Sequence, residues 1–190
     1  MALTRRGLLL AVGDAHVYDA PEAAKGDGSP GYAAPRTRER AQVPGTAESL
    51  AGFKAKCVGC QLCIRECCHQ VLKPSARADH LFKPELDFRQ GWCPPECNRC
   101  GTVCPAGALK PVSEEEKLKA RLGVAKWHKE RCLATRGVTC NACLRHCPVK
   151  AISHDAQGHP VVDEKSCIGC GACEFFCPAR PATAMQVEGR

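Results

Sequence analysis

The chain has 190 residues, of which 5% are aromatic and 17 are cysteine, and its formal net charge is +7. So few aromatic side chains cannot build a sufficient core alone, and cysteine at about 9% marks a fold stapled by disulfides or metals. An odd number of thiols in tight CxxC clusters argues against a disulfide framework, and no apolar run approaches the roughly 18 residues of a membrane span.

The chain opens "MALTRRGLLLAVG", where Arg5 and Arg6 precede an apolar stretch from Gly7 to Gly13. This looks like a twin-arginine export signal and predicts a periplasmic protein; the alternative is an ordinary basic amino terminus on a cytoplasmic or membrane-peripheral one. Residues 14–50 are rich in Ala, Gly, Pro and charge without periodicity, so 1–50 reads as an export-signal-like start followed by a flexible linker. Residues 51–190 then form the metal-binding region.

From Phe53 onward one unit recurs: "CVGCQLCIRECCHQVL", "CPPECNRCGTVCPAGAL", "CLATRGVTCNACLRHCPVKAI" and "CIGCGACEFFCPARPATAM". Each is a cysteine cluster followed by an apolar tail, which argues for one supersecondary unit used four times. Between the first two, "HQVL" reads as strand-like, and the loop "KPELDFRQGW" is the most elaborate insertion and a place to look for a docking surface. Between the second and third, "SEEEKLKARLG" predicts a short surface helix, with Ser113 and Glu116 at capping-box spacing and Gly123 as its stop. After it "VAKWH", "AIS" and "PVVD" are strand candidates, the last two joined by a turn at Gln157 and Gly158. Trp92 and Trp127, each close to a cysteine cluster, are expected in the core.

The fourth segment specifies the chemistry. Cys167, Cys170 and Cys173 are two residues apart, and Cys177 follows after three more and precedes Pro178. Three thiolates on one tight loop reach three corners of a 4Fe-4S cubane, while the fourth points to a second cluster, so clusters come in pairs that exchange a ligand. Gly169 and Gly171 allow the loop backbone to approach the inorganic sulfides. The other segments follow with longer first gaps: Cys93, Cys97, Cys100 and Cys104 before Pro105, and Cys132, Cys140, Cys143 and Cys147 before Pro148. In the first, Cys57, Cys60, Cys63 and Cys67 are followed by Cys68 where the others have proline. Sixteen cysteines therefore serve four 4Fe-4S clusters, and Cys68 is read as a small buried residue, not a ligand, with an exchangeable ligand or a reactive sensor thiol as the alternatives. The histidines are read as surface residues or as neighbours of the ligands. Tetrahedral zinc, which favours separated CxxC pairs, is a remote alternative.

Each such cluster with four thiolates carries about −2 when oxidised, so four add roughly −8 and bring +7 to about −1. The basic side chains then balance buried anions and are poor support for a nucleic-acid partner.

The four motifs in this order, the first gap of seven in "CLATRGVTCNACLRHCP", and "TRRGLLL" resemble the ferredoxin-type proteins of the NapG and MauM kind. The missing proline after Cys67 departs from that pattern. The resemblance implies a small, loop-rich α+β fold of two ferredoxin-like units, each with short β-hairpins and short helices around two clusters. It also implies a nested pairing of motifs 1+4 and 2+3. One unit would hold Cys57, Cys60, Cys63 with Cys177 and Cys167, Cys170, Cys173 with Cys67. The other would hold Cys93, Cys97, Cys100 with Cys147 and Cys132, Cys140, Cys143 with Cys104. Motif spacing alone leaves a tandem pairing equally open. The function implied is electron relay between a membrane-bound iron-sulfur, quinol-oxidising or ferredoxin-type donor and a partner oxidoreductase, as a free carrier or a bound subunit. With no phosphate loop, dinucleotide fingerprint or HExxH, the chain reads as a carrier without a substrate site of its own.

Overall fold

The computed structural model describes residues 43–189. The twin-arginine-like stretch and most of the expected linker lie outside the described residues. The end of that linker is packed: Pro44 and Thr46 are buried, and Ser49 caps helix α1 (Leu50–Lys56), its Oγ accepting from the Gly52 amide at 3.1 Å. The apolar face of this single pair of turns is Phe53, which is only 1% exposed.

Four helices of four residues follow the same plan. Helix α2 (Leu62–Arg65), α3 (Arg99–Thr102), α5 (Ala142–Arg145) and α6 (Ala172–Phe175) each carry the third cysteine of their motif. Single turns of this length are not stable alone, and their stability must come from tertiary contacts. They pack in pairs, α2 with α3 and α5 with α6.

Three two-stranded antiparallel sheets complete the architecture, giving a small, loop-rich α+β protein. Strand β1 (Leu72–Pro74) pairs with β2 (Pro84–Leu86) between motifs 1 and 2, and β4 (Ile152–His154) with β5 (Pro160–Val162) between motifs 3 and 4. Gly158, at φ +80, makes the turn of the second hairpin, as "AIS", "PVVD" and the intervening Gly predict. Strand β3 (Gly123–Trp127), which leads into motif 3, pairs with β6 (Met185–Gly189), which leaves motif 4, in register from Gly123↔Gly189 to Trp127↔Met185. Among the described residues the first half has no such outer ladder; the Lys110 amide donates to the Thr46 carbonyl at 3.0 Å instead. One core runs through both halves, with Phe53, Leu72, Phe88, Leu109, Ile152 and Met185 packed among the cysteines.

The capping box forms as expected on α4 (Glu114–Ala120), where Ser113 Oγ accepts from the Glu116 amide and Glu116 returns a carboxylate oxygen to the Ser113 amide. Three expectations are corrected. The stop of α4 is Arg121, at φ +42; Gly123 belongs to β3, where a Cβ would stand 2.1 Å from the Glu188 carbonyl oxygen. "HQVL" turns at Gln70 and only Leu72 enters a strand. The segment "KPELDFRQGW" is not an open loop: it supplies β2, and Phe88 is fully buried.

Candidate functional site

The cysteines line four separate cavities, each with roughly 290–360 Å³ of space between atoms. Cavity 1 gathers Cys57, Cys60, Cys63 and Cys104, and cavity 2 gathers Cys93, Cys97, Cys100 and Cys67. Cavity 3 gathers Cys132, Cys140, Cys143 and Cys177, and cavity 4 gathers Cys167, Cys170, Cys173 and Cys147. Three thiols from one motif meet the fourth thiol of its neighbour every time. All sixteen candidate ligands are used once.

This grouping departs from the nested exchange that the resemblance implies. Cys177 stands with Cys132, Cys140 and Cys143, not with motif 1, and Cys104 stands with motif 1, not motif 3. The physical reason is local. Each hairpin, β1–β2 or β4–β5, reverses the chain between consecutive motifs and sets their short helices against each other, so adjacent motifs meet at a smaller loop-closure cost than distant ones. The pairing rule demands an exchange without saying with whom, and the hairpins decide it.

The donor set suits an anionic sulfur cluster. The fourth cysteine of three motifs accepts a backbone amide from its own apolar tail: Cys104 Sγ from Leu109 at 3.5 Å, Cys147 Sγ from Ala151 at 3.2 Å and Cys177 Sγ from Ala184 at 3.3 Å. Cys167 Sγ accepts from the Ala125 amide at 3.5 Å, and Thr46 Oγ1 lies 3.4 Å from Cys100 Sγ. The tails recognised in the sequence thus direct N–H dipoles at sulfur, which stabilises negative charge there. Burial pushes the Cys63 thiol up to about 12, with the neighbouring sulfurs of Cys100, Cys57 and Cys60 adding to the effect. It pushes Cys143 to about 11, where Cys140, Cys132 and Cys177 add. Burial of this kind favours the neutral thiols, so holding them together as thiolates takes a cationic core, which a metal cluster provides.

The cavities form a sequence. The charge of Cys100 raises the Cys63 thiol across cavities 2 and 1, and that of Cys143 raises the Cys173 thiol across cavities 3 and 4. Between cavities 2 and 4 the Cys93 amide donates to the Cys170 carbonyl at 2.8 Å, and Trp92 packs on Ile168, Cys170 and Ala172. Trp127 packs against Cys132 and Cys177. Gly171, at φ +81, sits under Phe88: a Cβ there would lie 2.0 Å from the ring. A Cβ on Gly169 would lie 2.3 Å from the Gly123 amide nitrogen. These two glycines admit neighbouring protein as well as any sulfide.

One functional feature escapes the sequence, and one expectation is corrected. Lys117, on the helix expected to be a solvated surface element, is 5% exposed and donates its Nζ to the carbonyls of Pro94, at 2.5 Å, and Cys97 on the motif 2 loop. No periodicity in "SEEEKLKARLG" distinguishes it from the exposed Lys119. Cys68 is exposed, not buried as expected, and its sulfur, a ring nitrogen of His69 and the sulfur of Cys97 all lie within 4.8 Å of one another. The signal for it was the missing proline.

A family model described as a 4Fe-4S dicluster domain matches residues 136–180, which carry seven of the eight cysteines of motifs 3 and 4. The chain is 36% identical over 139 residues to the methylamine utilization ferredoxin-type protein MauM of Methylobacillus flagellatus, covering 66% of this chain and 58% of that one. Against MauM of Paracoccus denitrificans it is 34% identical over 152 residues, covering 73% and 67%. Against the ferredoxin-type protein NapG of Escherichia coli it is 33% identical over 154 residues, covering 73% and 66%. The chain spans about three fifths of the length of the first MauM relatives it matches.

Proposed function

The chain belongs to the ferredoxin-type proteins of the MauM and NapG kind, and from that premise we propose that it is an electron carrier holding four 4Fe-4S clusters in two tandem units. The observation that carries the reading is the convergence of four thiols on each of four cavities, with three from one motif and one from its neighbour. A 4Fe-4S cluster, when bound, supplies a site that takes up and releases one electron. The protein's residues hold and tune it. Cys57, Cys60, Cys63 and Cys104 would ligate cluster 1; Cys93, Cys97, Cys100 and Cys67 cluster 2; Cys132, Cys140, Cys143 and Cys177 cluster 3; and Cys167, Cys170, Cys173 and Cys147 cluster 4. The dicluster match, which runs through motifs 3 and 4 as consecutive segments, supports the tandem arrangement.

The contacts between cavities support a route in the order 1, 2, 4, 3, with the Cys93 to Cys170 hydrogen bond as the junction of the halves. The thinnest cover lies over cluster 1. Cys60 is exposed there beside Val58, which is 73% exposed, whereas all four cysteines of motif 4 are buried. Electron tunnelling falls off steeply with distance, so a redox partner protein would exchange electrons at the motif 1 corner, and cluster 4 would serve as an interior relay. The donor would be a membrane-bound iron-sulfur or quinol-oxidising protein and the acceptor an oxidoreductase. The carrier has no substrate site of its own and no nucleic-acid partner.

Anaerobically purified holoprotein should be brown, contain about sixteen iron and sixteen acid-labile sulfide per chain, and show low-potential signals in an electron paramagnetic resonance (EPR) redox titration. A colourless, zinc-loaded and natively folded protein would end the reading.

Lys117 gives a sharper expectation. Its charge lies against the motif 2 loop and draws the Cys93 thiol down against the burial that pushes it up to about 12. Lys117→Met should therefore shift the cluster 2 potential downward by tens of millivolts, on the order of 1 kcal/mol for a one-electron couple. It should also destabilise the protein by about 1–3 kcal/mol, because two carbonyls lose their donor. A cluster 2 potential that stays put or rises would refute the electrostatic role.

For location we propose twin-arginine export directed by Arg5 and Arg6. The clusters would then be loaded before translocation, since that route carries folded protein. Changing both arginines to lysine in the full chain should abolish export to the periplasm; undiminished export would discard the signal.

A further inference from the structure

Resting on the four-cluster reading, we propose that Cys68 is a reserve ligand for cluster 2, able to take over the iron corner served by Cys97. Three observations converge. The two sulfurs lie within 4.8 Å of each other. Two sulfurs bonded at about 2.3 Å to one tetrahedral metal are about 3.8 Å apart, so the gap closes with a side-chain movement of about 1 Å. That is within the range of one rotamer adjustment.

The backbone is also set for it. In motif 1 the Gln70 amide donates to the Cys67 carbonyl at 3.0 Å with Gln70 at φ +53. In motif 3 the Lys150 amide donates to the Cys147 carbonyl at 3.2 Å with Lys150 at φ +52. Motif 3 has Pro148 at the intervening position where motif 1 has Cys68. The turn is the same with either residue, so the cysteine is not required by the fold and adds only a thiol. Behind it, Gly91 lets its segment pack onto His69: a Cβ at 91 would lie 1.8 Å from the His69 carbonyl oxygen. This holds His69 in the wall of cavity 2, with Cys68 next to it in the chain and between two lining residues, Cys67 and His69. The Arg99 guanidinium lies close enough to Cys68 to interact with its sulfur, and both Arg99 and His69 line that cavity.

The exchange needs no oxidant or reductant. Cys68 gives up its thiol proton as its sulfur bonds to the iron, the bond from Cys97 to that iron breaks, and Cys97 takes up a proton as it leaves. The oxidation states are unchanged. Of the two extra donors, thiolate is the better match to an iron-sulfur corner than the His69 imidazole.

The test compares anaerobically purified holoproteins. Wild type comes first: about sixteen irons upholds the four-cluster reading independently of Cys68, and far fewer overturns that reading. Iodoacetamide labelling of native wild type, read by peptide mass mapping, should modify Cys68 and leave the ligands protected. In C97A the iron content should stay at about sixteen, no three-iron EPR signal should appear, and Cys68 should become protected from labelling. In C97A/C68A about four irons should be lost, or a three-iron signal should appear, as also in C100A, where no spare thiol stands by. A C97A protein that is insoluble, has lost about four irons, or still labels at Cys68 overturns the proposal. So does a C97A/C68A protein that keeps sixteen irons, which would point to His69.

Discussion

Replacing Cys57 and Cys104 together by alanine should cost the protein one cluster, about four irons, whereas replacing Cys57 and Cys177 together should cost two, about eight. The difference follows from the cavities. Cys57 and Cys104 share cavity 1, so the second substitution removes a ligand from a site already lost, while Cys177 serves cavity 3. The nested pairing makes the opposite prediction, because it puts Cys57 and Cys177 on one cluster. Iron and sulfide analysis with EPR spin counting on the three-way set of wild type and both doubles reads the result directly. Equal losses in the two doubles would sink the tandem assignment. The effect is large because a corner left without a thiolate exposes iron to water, and a structural metal contributes folding free energy outright.

Gly171→Ala should destabilise the holoprotein by about 2–5 kcal/mol. A side chain at φ +81 costs about 1–2 kcal/mol, and forcing a Cβ to within 2.0 Å of the Phe88 ring adds an overpacking penalty of about 1–3 kcal/mol. In a chain of this size that lowers the unfolding midpoint by roughly 5–15 °C. Phe88→Ala alone should cost about 3–5 kcal/mol as a core truncation. The informative variant is the pair: with the ring gone the alanine methyl has room, so Gly171→Ala/Phe88→Ala should be less destabilised than the sum of the singles by about 1–3 kcal/mol. Anaerobic thermal or denaturant unfolding of all four proteins measures this. Simple additivity would mean that Gly171 answers to backbone conformation alone, not to the packing of the first half's hairpin on the motif 4 loop.

What could be read in the sequence was what short-range spacing encodes. The sixteen cysteines fall into four groups of four because ligand loops and single-turn helices are local structures, and the structure brings together the same sixteen. The capping box at Ser113 and the turn at Gly158 were legible for the same reason. What depends on which distant segments meet was not. Spacing cannot tell Cys104 from Cys177 as the partner of motif 1, since both follow their motif by the same three residues. The burial of Lys117 needs the carbonyls of Pro94 and Cys97 to be known as neighbours. Phe88 sat in a segment that looked like an open loop by composition, and its role appears only when Gly171 is set beneath it. Pro44 and Thr46, at the end of the expected linker, are buried, which is a tertiary fact that composition does not carry.

The contrast between the two chain closures has a kinetic meaning. The second half is tied shut by the β3–β6 ladder, while the first is shut by the amide of Lys110 on the carbonyl of Thr46, reinforced by the exposed Lys110–Glu48 pair. One backbone bond opens more often than a ladder, so breathing begins at residues 43–49 and reaches Cys100 through the Thr46 hydroxyl. Amide protons of the first half should thus exchange with deuterium sooner than those of Ala125 and Val187, and oxidative decay should strip clusters 1 and 2 ahead of 3 and 4.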